Sequence, residues 1–353
     1  MTSTSSMKRD YFDDVRLART GAAKLWLAIL FAALAVVPFF ASPFLLYTLN
    51  LMAVNVIVAI GLNILVGYTG QISLGHAGFV AIGAYTSVLL MSRVGVPFPI
   101  ALIAAGLLSA AIGFLLGLPA LRLEGPYLAI ATLGFGMATT VVIGRTALFG
   151  GHMGLVVPPP RLGPLDLSSD RGIYAITISA AVVLAMMARN LMRSRTGRAF
   201  QAIRDSDIAA QMAGVDLARY KTLSFAISAF YAGLAGGLWA IVLGFINPGM
   251  FNFIVSVLFL AMVVAGGLGT IAGPIAGAIL ITFLNLQAAR IQSLPVIGPL
   301  LETFSSQFMT VSGLPSITWI VTGLILILIV VLEPMGLYGL WLRTKIYWKT
   351  WPF

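Results

Sequence analysis

Among the polar side chains that punctuate the apolar first third of this chain are Asn55, Asn63, Gln71, Ser73 and His76. Amides, a hydroxyl and an imidazole can hydrogen-bond a passing solute, or they can bond to one another between helices. Asn55 and Asn63 are eight residues apart, which puts them roughly 80° apart on a helix of 3.6 residues per turn. Both can share a face with Gln71, Ser73 and His76, and that face is a candidate lining for a translocation path. Interhelical hydrogen bonding, worth about 0.6 kcal/mol per contact, is the competing reading. Other chemistry is excluded. The two histidines, His76 and His152, are far apart and there is no cysteine, so the chain offers no metal centre, disulfide framework or thiol chemistry. No G-x-x-x-x-G-K-[ST] run exists, so nothing here holds a nucleotide for hydrolysis. Asp and Glu fall in loops or at the ends of apolar runs, Glu124 and Glu333 included, whereas proton-coupled carriers keep such groups inside their spans.

A second set of residues sits in the one long polar interruption, 189–221. It carries seven positive charges (Arg189, Arg193, Arg195, Arg198, Arg204, Arg219, Lys221) and three negative ones (Asp205, Asp207, Asp216). The pattern is helical. Thr196 is placed to cap a short helix that puts Phe200 and Ile203 on one side. Ser206 is placed to cap a second helix, with Asp207 in its first turn, where a negative charge suits the dipole. Gly214 falls where that helix ends in a left-handed residue, and Asp216 can cap the next apolar run. Ala209, Ala210 and Gly214 are small enough to seat closely against a partner, and Arg198, Arg204, Asp205 and Asp207 ring that seat with both signs of charge. A folded knob that meets a partner is one reading; a solvated charge run that only sets topology is the other.

The elements that must position these residues are membrane spans. Of 353 residues, 59% are hydrophobic and 9% charged, against about 25% charged in a soluble domain. Several segments exceed the roughly 20 apolar residues that cross a bilayer. The fold class expected is an all-α integral membrane protein of about ten transmembrane helices, at 24–41, 44–66, 76–92, 98–119, 126–147, 172–188, 222–245, 252–268, 273–289 and 314–332. The domain reading is a cytoplasmic amino-terminal tail at 1–23, a permease domain at 24–342 containing the loop 189–221, and a cytoplasmic carboxyl-terminal tail at 343–353. With both termini inside, sixteen of the 21 Lys and Arg fall on the cytoplasmic side. Five fall outside, namely Arg93, Arg145, Arg161, Arg171 and Arg290, as the positive-inside rule requires. Two outside segments are long: 148–171, with three consecutive prolines, and 290–313, where LLETFSSQF can form a surface helix. Either can dock a soluble partner or simply join helices.

Two glycine-rich breaks echo each other. GYTGQISLGHAG (67–78) and GGLGTIAGPIAG (266–277) are offset by 199 residues, matching Gly67, Gly70, Ile72, Ala77 and Gly78 with Gly266, Gly269, Ile271, Ala276 and Gly277. This suggests a parallel repeat. Irregular backbone at membrane depth is tolerated only against protein or a water-filled cavity, so both breaks are expected near the path. Close packing through small residues explains the second copy equally well.

Several stretches resemble a known family. NILVGYTGQISLGHAGFVAIGAY (63–85), LRLEGPYLAIATLGFG (121–136), the run from Ser194 to Ala240, AMVVAGGLGTIAGPIAGA (261–278) and EPMGLYGLW (333–341) are together similar to the LivM-type permeases of branched-chain amino acid ABC importers, over about 44–341. The resemblance implies an inner-membrane permease paired with a LivH-type sister. It also implies two cytoplasmic ATPase subunits that carry the ATP and Mg, and a periplasmic solute-binding protein; no cofactor is expected on this chain. It further implies that the polar loop docks into an ATPase groove, with Ile208, Ala209, Ala210 and Gly214 on the E-A-A-x-x-x-G pattern and Ile208 where many permeases have Glu. A second departure is FGGHMGL (149–155), where a TGGSDGL-like run is expected. It leaves the substrate open: branched-chain or other small hydrophobic amino acids, or urea, short amides and small organic acids. A self-sufficient secondary transporter or channel is the rival from another class, and it lacks the intramembrane ion sites it would need.

Overall fold

The computed structural model describes residues 21–123, 125–162 and 165–292, together with 323–324, 327–328, 331, 333 and 335–350. Its elements run α1 Gly21–Phe40, α2 Pro43–Thr69, α3 His76–Leu89 with a wide π turn at Leu90–Val94, α4 Phe98–Ala120 and α5 Pro126–Arg145. They continue with α6 Asp170–Arg193, α7 Arg195–Asp205, α8 Asp207–Met212, α9 Leu217–Leu243, α10 Phe253–Gly266, α11 Ala272–Gln292 and α12 Gly336–Thr350. Six of these, α2 to α6 and α9 (α3 counted through its π turn), are long and apolar enough to cross a membrane. The expected spans at 24–41, 252–268 and 273–289 coincide with helices whose apolar parts are shorter. The tenth expected span and the surface helix after 299 lie largely outside the described residues.

Helix α9 is the hub, packed against α2, α4 and α3. Glycine makes this possible. A side chain at Gly83 on α3 would fall on the backbone of Gly233 on α9, one at Gly236 on that of Val80, and one at Gly113 on the side chain of Ala229. Between apolar helices in lipid, close approach of this kind supplies the dispersion energy that a hydrophobic effect supplies in water. Hydroxyls add directed contacts: Ser228 donates to the Gly61 carbonyl at 2.7 Å and Tyr231 to the Leu184 carbonyl at 2.9 Å. Helix α2 is the most enclosed; from Ala53 to Thr69 all but Asn55 are buried.

Small sheet elements join one end of the bundle. Strand β1 (Leu155–Val156) pairs antiparallel with β4 (Phe245–Ile246), Leu155 opposite Ile246, and β2 (Arg161–Leu162) pairs with β3 (Leu165–Asp166).

Candidate functional site

The polar knob folds from its caps inward. Helix α7 is capped by Ser194, not Thr196: Ser194 has the extended backbone of a cap and its Oγ accepts from the Gly197 amide at 3.4 Å. Ala199, Phe200 and Ile203 face inward and are buried. The Phe200 ring meets Tyr220 edge-on at 6.2 Å. Arg198 is exposed and donates to the Arg193 carbonyl at 3.2 Å. Arg204 and Asp205 are exposed at the end of α7. Ser206 then caps α8 by accepting from the Ala209 amide at 3.2 Å. Asp207 in the first turn of α8 forms an ion pair with Lys221 of α9, which ties the knob to the hub. Gly214 closes the knob at φ +82° and Asp216 caps α9 by accepting from the Arg219 amide at 3.1 Å.

The small-residue seat divides in two. Ala210 is 2% exposed and points into the protein, whereas Ala209 and Gly214 face outward. The outward surface belongs to Ile208, 77% exposed, and Met212, 87% exposed, one helical turn apart on the same face. Sequence reasoning missed Met212; its signal was the four-residue spacing from Ile208. Two large apolar side chains are thus held in the open on a capped helix.

The five path candidates of the first third do not form one continuous face. Asn55 donates to Thr282 Oγ1 on α11 at 2.8 Å. Asn63 bonds to the turn between α10 and α11, accepting from the Gly269 amide at 3.0 Å and donating to the Thr270 carbonyl at 2.7 Å. Gln71 turns the other way and donates to Thr69 Oγ1 at 2.9 Å and to Ser224 Oγ on α9 at 2.8 Å. Ser73 and His76 are both fully buried. Neither the Ser73 hydroxyl nor either His76 ring nitrogen has a hydrogen-bond partner among the described residues. The His76 ring meets Phe79 edge-on at 5.9 Å.

Both glycine-rich breaks carry a left-handed residue at the matching position: Gly70, which caps the end of α2, at φ +71°, and Gly269, 199 residues later and two residues past the Gly267 that caps α10, at φ +74°. Only glycine takes that conformation without steric cost. Each break opens onto a helix whose first amides need partners. For α3 the preceding Gly75 offers no side-chain cap. Thr132 on α5 accepts from the Leu74 amide and Ser256 on α10 accepts from the Ala77 amide, each at 3.0 Å. For α11 the acceptor is local: Thr270 Oγ1 accepts from the Gly273 amide at 3.1 Å. Helix α10 has 14 residues, about 21 Å at 1.5 Å per residue, so it falls short of roughly 30 Å of hydrocarbon, whereas α3 reaches spanning length only through its π turn.

A family model described as branched-chain amino acid transport system / permease component matches residues 44–330. The chain is 38% identical over 283 residues to the high-affinity branched-chain amino acid transport system permease protein LivM of Escherichia coli, which covers 73% of this chain and 67% of that protein. It is 27% identical over 242 residues to the corresponding LivH protein of Salmonella typhimurium, covering 64% and 78%. It is 28% identical over 194 residues to the autoinducer 2 import system permease protein LsrC of Escherichia coli, covering 54% and 55%. No solved structure matches. With the family pattern running across the hub, both breaks and the knob, the chain belongs to the branched-chain amino acid transport system permease family.

Proposed function

We propose that this chain is the membrane-spanning permease subunit of an ABC importer that moves branched-chain or other small hydrophobic amino acids across the bacterial inner membrane. The observation that carries the reading is the family match over 44–330. The knob fits it: capped helices that expose Ile208 and Met212 suit an ATPase groove. The chain has no phosphate-binding loop, so ATP and Mg belong to two partner ATPases. A LivH-type sister would complete the path and a periplasmic binding protein would deliver substrate. The membrane domain is taken as ten spans with both termini cytoplasmic. ATP binding closes the ATPases, the knob moves, and the cavity changes sides; Asn55, Asn63, Gln71, Ser73 and His76 border that cavity in one of its states.

The test is reconstitution. Liposomes holding this chain alone should neither hydrolyse ATP nor accumulate leucine. Liposomes holding it with a sister permease, two ATPases and a binding protein should do both. Leucine uptake by the lone chain overturns the reading.

A further inference from the structure

Arg204 is the last long side chain before the knob bends from α7 into α8, and it reaches both glycine-rich breaks. Its stem lies over the first: a Cβ placed on Gly70 would be 3.9 Å from Arg204 Cγ and 4.0 Å from Arg204 Cα. Its guanidinium end reaches the second, where Nη1 occupies the place a side chain on Gly269 would take. The two breaks also touch each other, because a Cβ on Gly269 would sit 3.1 Å from the Gly67 carbonyl oxygen. One side chain therefore spans the junctions of α2 with α3 and of α10 with α11. Both junctions turn on a left-handed glycine, so a lateral push there meets a backbone hinge and not the side of a continuous helix.

We propose that Arg204 is the positioning residue that transmits movement of the α7–α8 knob to both glycine-rich breaks at once, so that the two halves of the repeat switch together. This rests on the reading of the chain as an ABC importer permease whose knob meets an ATPase. Phe200 and Ile203 anchor the body of α7 in the membrane domain, and Ile208 and Met212 face outward. Arg204 lies between the anchored part and the outward part, where a displacement of α8 is first felt. The role is mechanical: Arg204 needs to touch neither substrate nor ATP.

The experiment uses the whole transporter in liposomes and measures leucine uptake and ATP hydrolysis in the same preparation. The sequence put Arg204 in the charged ring of the seat, but its guanidinium lies at Gly269, so Arg204→Ala should assemble with the ATPases at wild-type yield and keep ATP hydrolysis within about twofold, while leucine moved per ATP falls about tenfold, within the usual range of coupling between sites. Arg204→Lys keeps the stem over Gly70 and should recover most of that ratio. Gly269→Ala puts a methyl group where the guanidinium lies and should lower the ratio by itself. The double variant should be no worse than the poorer single one, because both changes break one contact. A wild-type ratio in Arg204→Ala, or additive losses in the double variant, overturns the relay. Loss of ATPase co-purification in Arg204→Ala also overturns it, making Arg204 part of the docking surface. A wild-type complex that hydrolyses ATP but takes up no leucine sinks the functional reading itself, which separates the two failures.

Discussion

Asn63 holds the turn at Gly269 from 206 positions away in the chain, its Oδ1 accepting from the Gly269 amide at 3.0 Å. Its Nδ2 donates to the Thr270 carbonyl at 2.7 Å, so one amide side chain satisfies both polar groups of an irregular segment. Irregular backbone at this depth needs such partners, since lipid supplies none. Asn63→Leu takes the partner from an N–H and a C=O of this part-buried turn, at about 1 kcal/mol for each lost bond. The purified variant should unfold several degrees below wild type in a detergent melt. An unchanged melting temperature means the turn finds other partners.

The start of α3 makes a similar case with two donors. Thr132→Val removes the acceptor of the Leu74 amide just before the cap, and Ser256→Ala that of the first-turn Ala77 amide. Each should cost about 1 kcal/mol, the usual value of a lost cap. The two changes sit on different helices with different partners, so their costs should add. A loss confined to one of them identifies the acceptor that matters.

Glycine positions separate protein-facing from open surfaces. Gly83→Leu drives a side chain into the Gly233 backbone, whereas a side chain at Gly134 on α5 meets nothing within 4 Å. Overpacking against backbone costs about 1–3 kcal/mol or more. Expression of Gly83→Leu in membranes should collapse while Gly134→Leu accumulates normally. Equal yields would contradict the α3–α9 crossing.

For the knob, Ile208→Asp and Met212→Asp change only exposed side chains. Each should cost about 2 kcal/mol of ATPase binding, roughly 30-fold, if these residues anchor the interface. Pull-down of the ATPase subunits at graded salt reads this directly. Ala210→Trp is a different experiment, because Ala210 is buried; it should loosen the knob and lower the melting temperature. Gly214→Val strains a backbone at φ +82° and belongs with Ala210→Trp.

The buried polar pair offers a test of the path. Ser73 is fully buried and the chain contains no cysteine. In the assembled transporter Ser73→Cys should stay silent to a water-soluble thiol reagent at rest and react during ATP turnover. Silence in every state of the cycle removes Ser73 and its neighbour His76 from the path.

Local signals were legible in the sequence. Composition determined the membrane class, the span lengths followed from apolar runs, and Ser206, Gly214 and Asp216 marked the knob because caps act within one helical turn. The 199-residue echo located two breaks, and both carry the same left-handed glycine. The first cap was read at Thr196, and the extended backbone at Ser194 puts it two residues earlier. Which way side chains face was decided by tertiary structure alone. In lipid, a helix is apolar on its outer and inner faces alike, so the periodicity that reveals a core in water fades. Nothing local turns Ala210 inward and Ile208 outward, sends Gln71 to Ser224 and Asn63 to Gly269, or lays Arg204 across both breaks. Those placements depend on how the helices pack, and their hub, α9, is seated by glycines whose partners are far away in the chain.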